Sequence, residues 1–285
     1  MKKPDHRRAF SPKSAVTGFL INFPVFLLSV TCIFPVVWLL YSSLKTPQEF
    51  AKSVVALPQQ IQFGNYAAAF RTANFDIFLW NSLRNSLVSM AVIVLITFVL
   101  GYLLSRYRFV GRNLIYGTLL AGIMIPVHAL MVPLFIQFRN LDILDKWYTL
   151  VPVYVAFEIP TSVFLIDGYL KGVSTDLEDA ASIDGAGMLK TMFSIILPVC
   201  RPIMATVIIL AFMHVWNEFP FAQILISSKA LKTVPVGLTY FTTDHSTDYT
   251  QLMAGLAMAT LPVILLYLAF YNKIMEGMMA GSIKG

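Results

Sequence analysis

The chain has 285 residues, of which 57% are hydrophobic and 13% charged, against roughly 45–50% and about 25% in soluble globular domains. That balance excludes an ordinary soluble fold and predicts about six membrane spans of roughly 20 residues each. The net charge of +6 does not indicate nucleic-acid binding, because the basic residues collect at the ends of apolar runs, where they set membrane topology.

In chain order, residues 1–14 come first, with Lys2, Lys3, Arg7, Arg8 and Lys13 against Asp5. They are expected to form a cytoplasmic N-terminus. The apolar run 14–44 is far longer than a signal-peptide core and is followed by no small-x-small cleavage site, so it is read as a retained first span. Residues 45–85 contain Pro47, Pro58 and Asn-Tyr and are expected to form short helices at the outer membrane surface. Further spans are expected at 86–104, 114–138, 147–170, 203–226 and 252–272. Each can cross a hydrocarbon core of about 30 Å at about 1.5 Å per residue. Backbone amides cannot stay unpaired in lipid, so these spans must be helices. Pro24, Pro35, Pro126, Pro133, Pro160, Pro220 and Pro262 fall inside them and are expected as kinks.

The expected fold class is therefore all-α: a polytopic membrane protein of six transmembrane helices, with one transmembrane domain over 15–285. Lys and Arg divide 13 to 8 between alternate sides, which places both termini in the cytoplasm. The clearest marker is Arg106-Tyr-Arg108-Phe-Val-Gly-Arg112. Cys32 and Cys200 are too few for a disulfide framework and are read as unpaired thiols.

The loop at 171–202 is the most informative stretch. Thr175 followed by Glu178 is a capping-box spacing, which predicts a helix starting at Asp176 and running about three turns. Asp176, Glu178 and Asp179 sit at the positive end of its dipole. Gly185 can take the left-handed conformation that ends a helix. A second short helix then runs toward Pro198. Ala180, Ala181 and Ala186 leave a face without bulk, which suits insertion into a partner's groove; a solvated helix with no partner is the plainer alternative.

The spacing favours the first. An acidic residue, two alanines, three residues, glycine, nine residues, isoleucine, one residue, leucine and proline are matched by Asp179, Ala180, Ala181, Gly185, Ile195, Leu197 and Pro198. This resembles the EAA loop of ABC importer permeases, with Asp179 in place of the commoner Glu and Glu178 beside it. Trp80-Asn-Ser82, Asn85-Ser86, the segment Phe212-Met-His-Val-Trp216-Asn217-Glu218-Phe219 and the end Gly277-Met-Met-Ala-Gly281-Ser-Ile-Lys284-Gly285 are similar to the carbohydrate-type branch that includes the smaller membrane subunit of the maltose importer. The resemblance implies a type I importer permease that forms half of a pore for a sugar or oligosaccharide, sugar acids included, in a bacterial inner membrane. It implies that Glu178, Asp179, Ala180, Ala181, Asp184, Gly185, Ile195, Leu197 and Pro198 couple the chain to a cytoplasmic ATPase. The implied partners are two ATPase subunits, a second homologous permease and an extracytoplasmic solute-binding protein. ATP and Mg would be bound by the ATPase alone, with no cofactor, metal or catalytic residue in this chain; there is no G-x-x-x-x-G-K-[ST] phosphate loop.

Ionisable groups at membrane depth are costly and are candidates for function. His214, Asn217 and Glu218 lie at i, i+3 and i+4 of one helical face, with Trp216 beside them and Pro220 able to open the backbone. Glu158 precedes Pro160, with Thr161 and Ser162 on its face, and His128 follows Pro126. Glu158, His214, Trp216, Asn217 and Glu218 are read as a polar solute path, with Tyr154 as an aromatic companion. Interhelical hydrogen bonding is the alternative. A secondary transporter would need buried charge pairs, and Glu158 and Glu218 have no basic partner evident in the sequence. A membrane-embedded enzyme would need a catalytic cluster, for which His214 beside Glu218 is the only hint.

Overall fold

The computed structural model describes the backbone of residues 12–72, 74–242 and 248–282, and the side chains of 22–71, 74–242 and 248–271. The basic start over 1–11, His245 and the Lys284-Gly285 end lie outside the described residues. The regular elements are α-helices: α1 (Pro12–Ser42), α2 (Pro47–Lys52), α3 (Gly64–Thr72), α4 (Phe75–Arg106), α5 (Arg112–Met124), α6 (Met131–Asn140) and α7 (Leu150–Leu170). There follow α8 (Asp176–Ile183), α9 (Met188–Lys190), α10 (Leu197–Val199), α11 (Arg201–Asn217), α12 (Pro220–Leu225), α13 (Val234–Leu238) and α14 (Tyr249–Ser282). A π-helical turn, Thr191–Ile196, joins α9 to α10.

Among the described residues, four helical stretches are long and apolar enough to cross a bilayer: Asn22–Ser42, Phe75–Arg106, Leu150–Leu170 and Tyr249–Tyr271. Two bent pairs bring the number to six if each counts as one span: Arg112–Met124 with Val127–Asn140, at 96°, and Met188–Val199 with Arg201–Asn217, at 79°. The sequence places prolines as expected kinks inside the spans at 114–138 and 203–226, and in the structure each run breaks outright. The first breaks at Ile125, which is extended (φ −75°, ψ 122°) because Pro126 disfavours helical backbone in the residue before it. The second stops at Asn217. Glu218 is extended (φ −67°, ψ 125°), and α12 restarts at Pro220.

The core is the junction of α4, α7 and α11. Ile93, Phe98 and Tyr102 of α4 pack with Ile166 and Leu170 of α7, and with Val207 and Ala211 of α11. A Cβ on Gly101 would lie 2.7 Å from Ile166 Cγ2. Glycine thus lets α4 and α7 approach closely, as small residues do between helices in lipid. No residue of α1 from 22 to 41 is buried, as expected for a helix with lipid around it.

On the side expected to be external, α2 and α3 are the short surface helices foreseen for 45–85. Thr46 and Glu49 form a reciprocal capping box at the start of α2. The Asn81-Ser82 pair fastens the loop before α13. Asn81 Nδ2 donates to the carbonyls of Ala230 (2.8 Å) and Lys232 (3.0 Å), and Ser82 Oγ accepts from the Val234 amide (2.8 Å). Cys32 is exposed, Cys200 is buried, and both are free thiols.

Gly101→Leu is expected to destabilise the chain by about 1–3 kcal/mol through overpacking, seen as a lower melting temperature in detergent. Gly168→Ala, where a Cβ meets nothing within 4 Å, should leave that temperature close to wild type.

Candidate functional site

The loop between α7 and α11 is ordered from its ends inward. α8 starts at Asp176, where the sequence places it, but spans eight residues, about two turns, and the capping box is not made. Glu178 has a stronger partner. Its Oε1 accepts from Nε of Arg106 at 2.9 Å, while Nη2 of the same arginine donates to the Val173 carbonyl at 2.9 Å. Both side chains are largely buried. The acidic start of α8 is therefore fastened to the last residue of α4.

The end of α8 is a Schellman turn. The Ala186 amide donates to the Ala181 carbonyl (2.9 Å), the Gly185 amide donates to Ser182 (3.1 Å), and Gly185 is left-handed at φ 75°. This turn explains the alanine-to-glycine spacing. Ala181 is buried at its inner end, while Asp179, Ala180, Asp184 and Gly185 face outward. Ile195 and Leu197 are half-buried and Pro198 is exposed. Ile183, not singled out in the sequence, is 86% exposed, with Leu189 beyond the turn at 67%. The loop thus offers an outer face on which Ile183 and Leu189 stand beside Asp179 and Asp184, on a braced frame.

The second constellation lies at membrane depth. A cavity of about 330 Å³ is lined by His128, Tyr154, Glu158, Thr161, His214 and Glu218 together with apolar neighbours. Polar positions that the sequence marks on three separate spans therefore converge. Nδ1 of His214 lies 2.6 Å from Oε1 of Glu158, so Glu158 has a basic partner that the sequence does not reveal. The imidazole remains 63% exposed. Glu218 occupies the break after α11. Its carboxylate accepts from the amides of Phe221 (2.6 Å) and Ala222 (3.1 Å) and from Tyr154 Oη (3.0 Å). It caps the first turn of α12 and satisfies amides that lipid would leave unpaired.

Two expected members of the path lie elsewhere. Trp216 is buried, stacked on Phe212, and donates from Nε1 to the Ala259 carbonyl of α14 at 3.0 Å. It packs helices and does not line the cavity. Asn217 bonds back to Met213 and is likewise outside the lining. Trp216 stands two residues from both His214 and Glu218, which turns its side chain toward a different neighbour.

Residues 93–272 match the family described as binding-protein-dependent transport system inner membrane component. The chain belongs to that family. It is 33% identical to the sulfoquinovosyl glycerol transport system permease protein of Agrobacterium fabrum, over 91% of each chain. It is 33% identical to the diacetylchitobiose uptake system permease protein of Streptomyces coelicolor, over 90% of this chain and 85% of that one. Its fold is similar to the crystal structure of a bacterial ABC transporter involved in alginate import, with a TM-score of 0.79 at 22% identity, covering 95% of this chain and all of the other. These relatives are carbohydrate-type permeases, the branch that the Trp80-Asn-Ser82, Asn85-Ser86, Phe212–Phe219 and C-terminal segments resemble.

The Arg106–Glu178 contact is the brace that sequence reasoning misses, since Arg106 reads there only as a topology marker. A double-mutant cycle of Arg106→Ala and Glu178→Ala, read by chemical denaturation of the detergent-solubilised chain, should give a coupling of about 0.5–3 kcal/mol. Additive single effects would mean that the contact contributes nothing.

Proposed function

We propose that this chain is one membrane subunit of an ATP-driven importer of a saccharide solute, in a bacterial inner membrane with both termini cytoplasmic. A second homologous permease completes the pore. Two ATPase subunits supply the energy and hold the nucleotide and Mg, and an extracytoplasmic binding protein delivers the solute. The saccharide class rests on the named relatives, whose own solutes are sulfoquinovosyl glycerol and diacetylchitobiose.

The observation that carries this reading is the loop. An eight-residue helix, closed by a left-handed glycine and fastened to α4 through Arg106 and Glu178, presents Asp179, Ala180, Ile183 and Gly185 outward. A partner that grips this surface moves α4 with it, because the brace resists hinging. α4 packs along α7 and α11, the helices that carry Glu158 and His214. A displacement of the loop thereby reaches the cavity through rigid elements. Within the cavity the Glu158–His214 pair and Tyr154 offer hydrogen-bonding groups to hydroxyls of a passing solute.

The test is uptake in whole cells by variants that reach the membrane in normal amount. Gly185→Trp and Ile183→Asp should each abolish uptake by spoiling the outer face of the loop. Glu158→Gln should change the half-saturating solute concentration while leaving complex assembly intact. Normal uptake by both loop variants would remove the coupling role. Unchanged kinetics for Glu158→Gln would return the cavity to a packing role.

A further inference from the structure

Beside the loop described above, a set of cations has no place in coupling or in the cavity. Arg108 and Arg112 flank the turn between α4 and α5, and Lys171 follows the end of α7. Two adjoining cavities of about 630 and 400 Å³ meet here, and both are lined by Arg112 and Asn113. Arg108 lines the first and Lys171 the second.

Two of the cations, Arg112 and Lys171, are held in place. Nε and Nη2 of Arg112 both donate to the Leu104 carbonyl, at 2.9 and 2.6 Å. Lys171 Nζ donates to Asp167 at 2.7 Å, and that hydrogen bond holds the ammonium above the usual lysine range. Arg112 and Lys171 both approach the Tyr116 ring, at 6.0 and 5.5 Å from its centre, and the Tyr116 hydroxyl donates to Asp167 at 3.2 Å. Asp167 offsets one of the three positive charges, which leaves a local excess of two.

The second cavity does not stop at the charges. It continues along α5 past Tyr116 to Gly117 and Leu120, on a helix that enters the membrane. A Cβ on Gly117 would meet nothing within 4 Å, so the groove is open there, and Leu120 is exposed. A soluble acidic partner would meet the cations but not this apolar continuation. A phospholipid meets both, with its phosphodiester at the head of the groove and an acyl chain along α5. Basic pockets between spanning helices on the cytoplasmic side suit anionic headgroups.

We propose that the seam between α5 and α7 is a binding site for an anionic phospholipid, with Arg108, Arg112 and Lys171 holding its phosphodiester and the Gly117–Leu120 face taking an acyl chain. The assignment to the cytoplasmic leaflet rests on the orientation proposed above; the binding itself does not.

The full chain, purified in mild detergent, is titrated with phosphatidylglycerol and with phosphatidylcholine, and bound lipid is counted by native mass spectrometry. Wild type should prefer phosphatidylglycerol. The double variant Arg108→Gln/Lys171→Gln should lose that preference by about tenfold or more, at roughly the attraction expected for two cations at a membrane surface. Lys229→Gln, elsewhere on the chain, should retain it, and Arg108→Lys should retain most of it. If the double variant is not monodisperse, the single Arg108→Gln change at an exposed side chain gives the same comparison. Equal retention of the two lipids by wild type, or an undiminished preference in the variants, would overturn the proposal. Displacement of phosphatidylglycerol by an equal concentration of inorganic phosphate would reassign the site to a free anion and overturn the lipid assignment. Labelling of Val110→Cys, in a chain with Cys32 and Cys200 replaced by serine, tests the leaflet separately. Reaction with an impermeant maleimide only in inverted vesicles supports the cytoplasmic side, and reaction only in right-side-out vesicles overturns the leaflet while leaving the binding result intact.

Discussion

A backbone amide in hydrocarbon must find its partner within the protein, and the architecture follows from that constraint. It makes the apolar runs helical and lets a helix break only where another group takes over its donors. Glu218 is the clearest case. α11 ends at Asn217, α12 restarts at Pro220, and the Glu218 carboxylate between them receives the Phe221 and Ala222 amides. A residue that reads as a charge misplaced in a membrane is therefore first a helix cap. Having been placed for that purpose, it also brings Tyr154 to the cavity wall. The break at Pro126 leaves His128 on the wall of the same cavity.

At the other end of the core the controlling contact is between side chains. Arg106 closes α4 and reaches both the start of α8 and the linker before it. Partial burial of the pair strengthens it relative to an exposed ion pair. The loop is thus part of the α4–α7–α11 frame, while its outer face is exposed among the described residues. That division between a braced inner side and an exposed outer side suits the lever proposed above.

What could be read in the sequence depended on how local the determinant was. The Asp179-to-Pro198 spacing was legible because a Schellman turn is built from consecutive residues and needs glycine at one place. The apolar runs were legible for the same reason, as were the short helices of 45–85. The Thr175–Glu178 spacing misled because a local cap competes with longer-range partners, and Arg106, 72 residues away, won. The Glu158–His214 pair could not be found from either segment alone, since the crossing of α7 and α11 sets it. Trp216 read as a cavity residue because it neighbours the polar face in sequence. Its indole instead satisfies its donor against α14, as a buried tryptophan usually does. The prolines of the membrane runs signalled kinks without fixing their angle, which reaches 96° where Pro126 breaks the third run.

The central claim is that this chain works only as part of an ATP-driven complex. Purification of the tagged chain from native membranes in mild detergent, followed by an ATPase assay with candidate saccharides and the external binding fraction, tests it most directly. Recovery of an ATPase and a second permease, with hydrolysis stimulated by a saccharide, is the predicted result. Recovery of this chain alone across several detergents, with no associated hydrolysis, would contradict it.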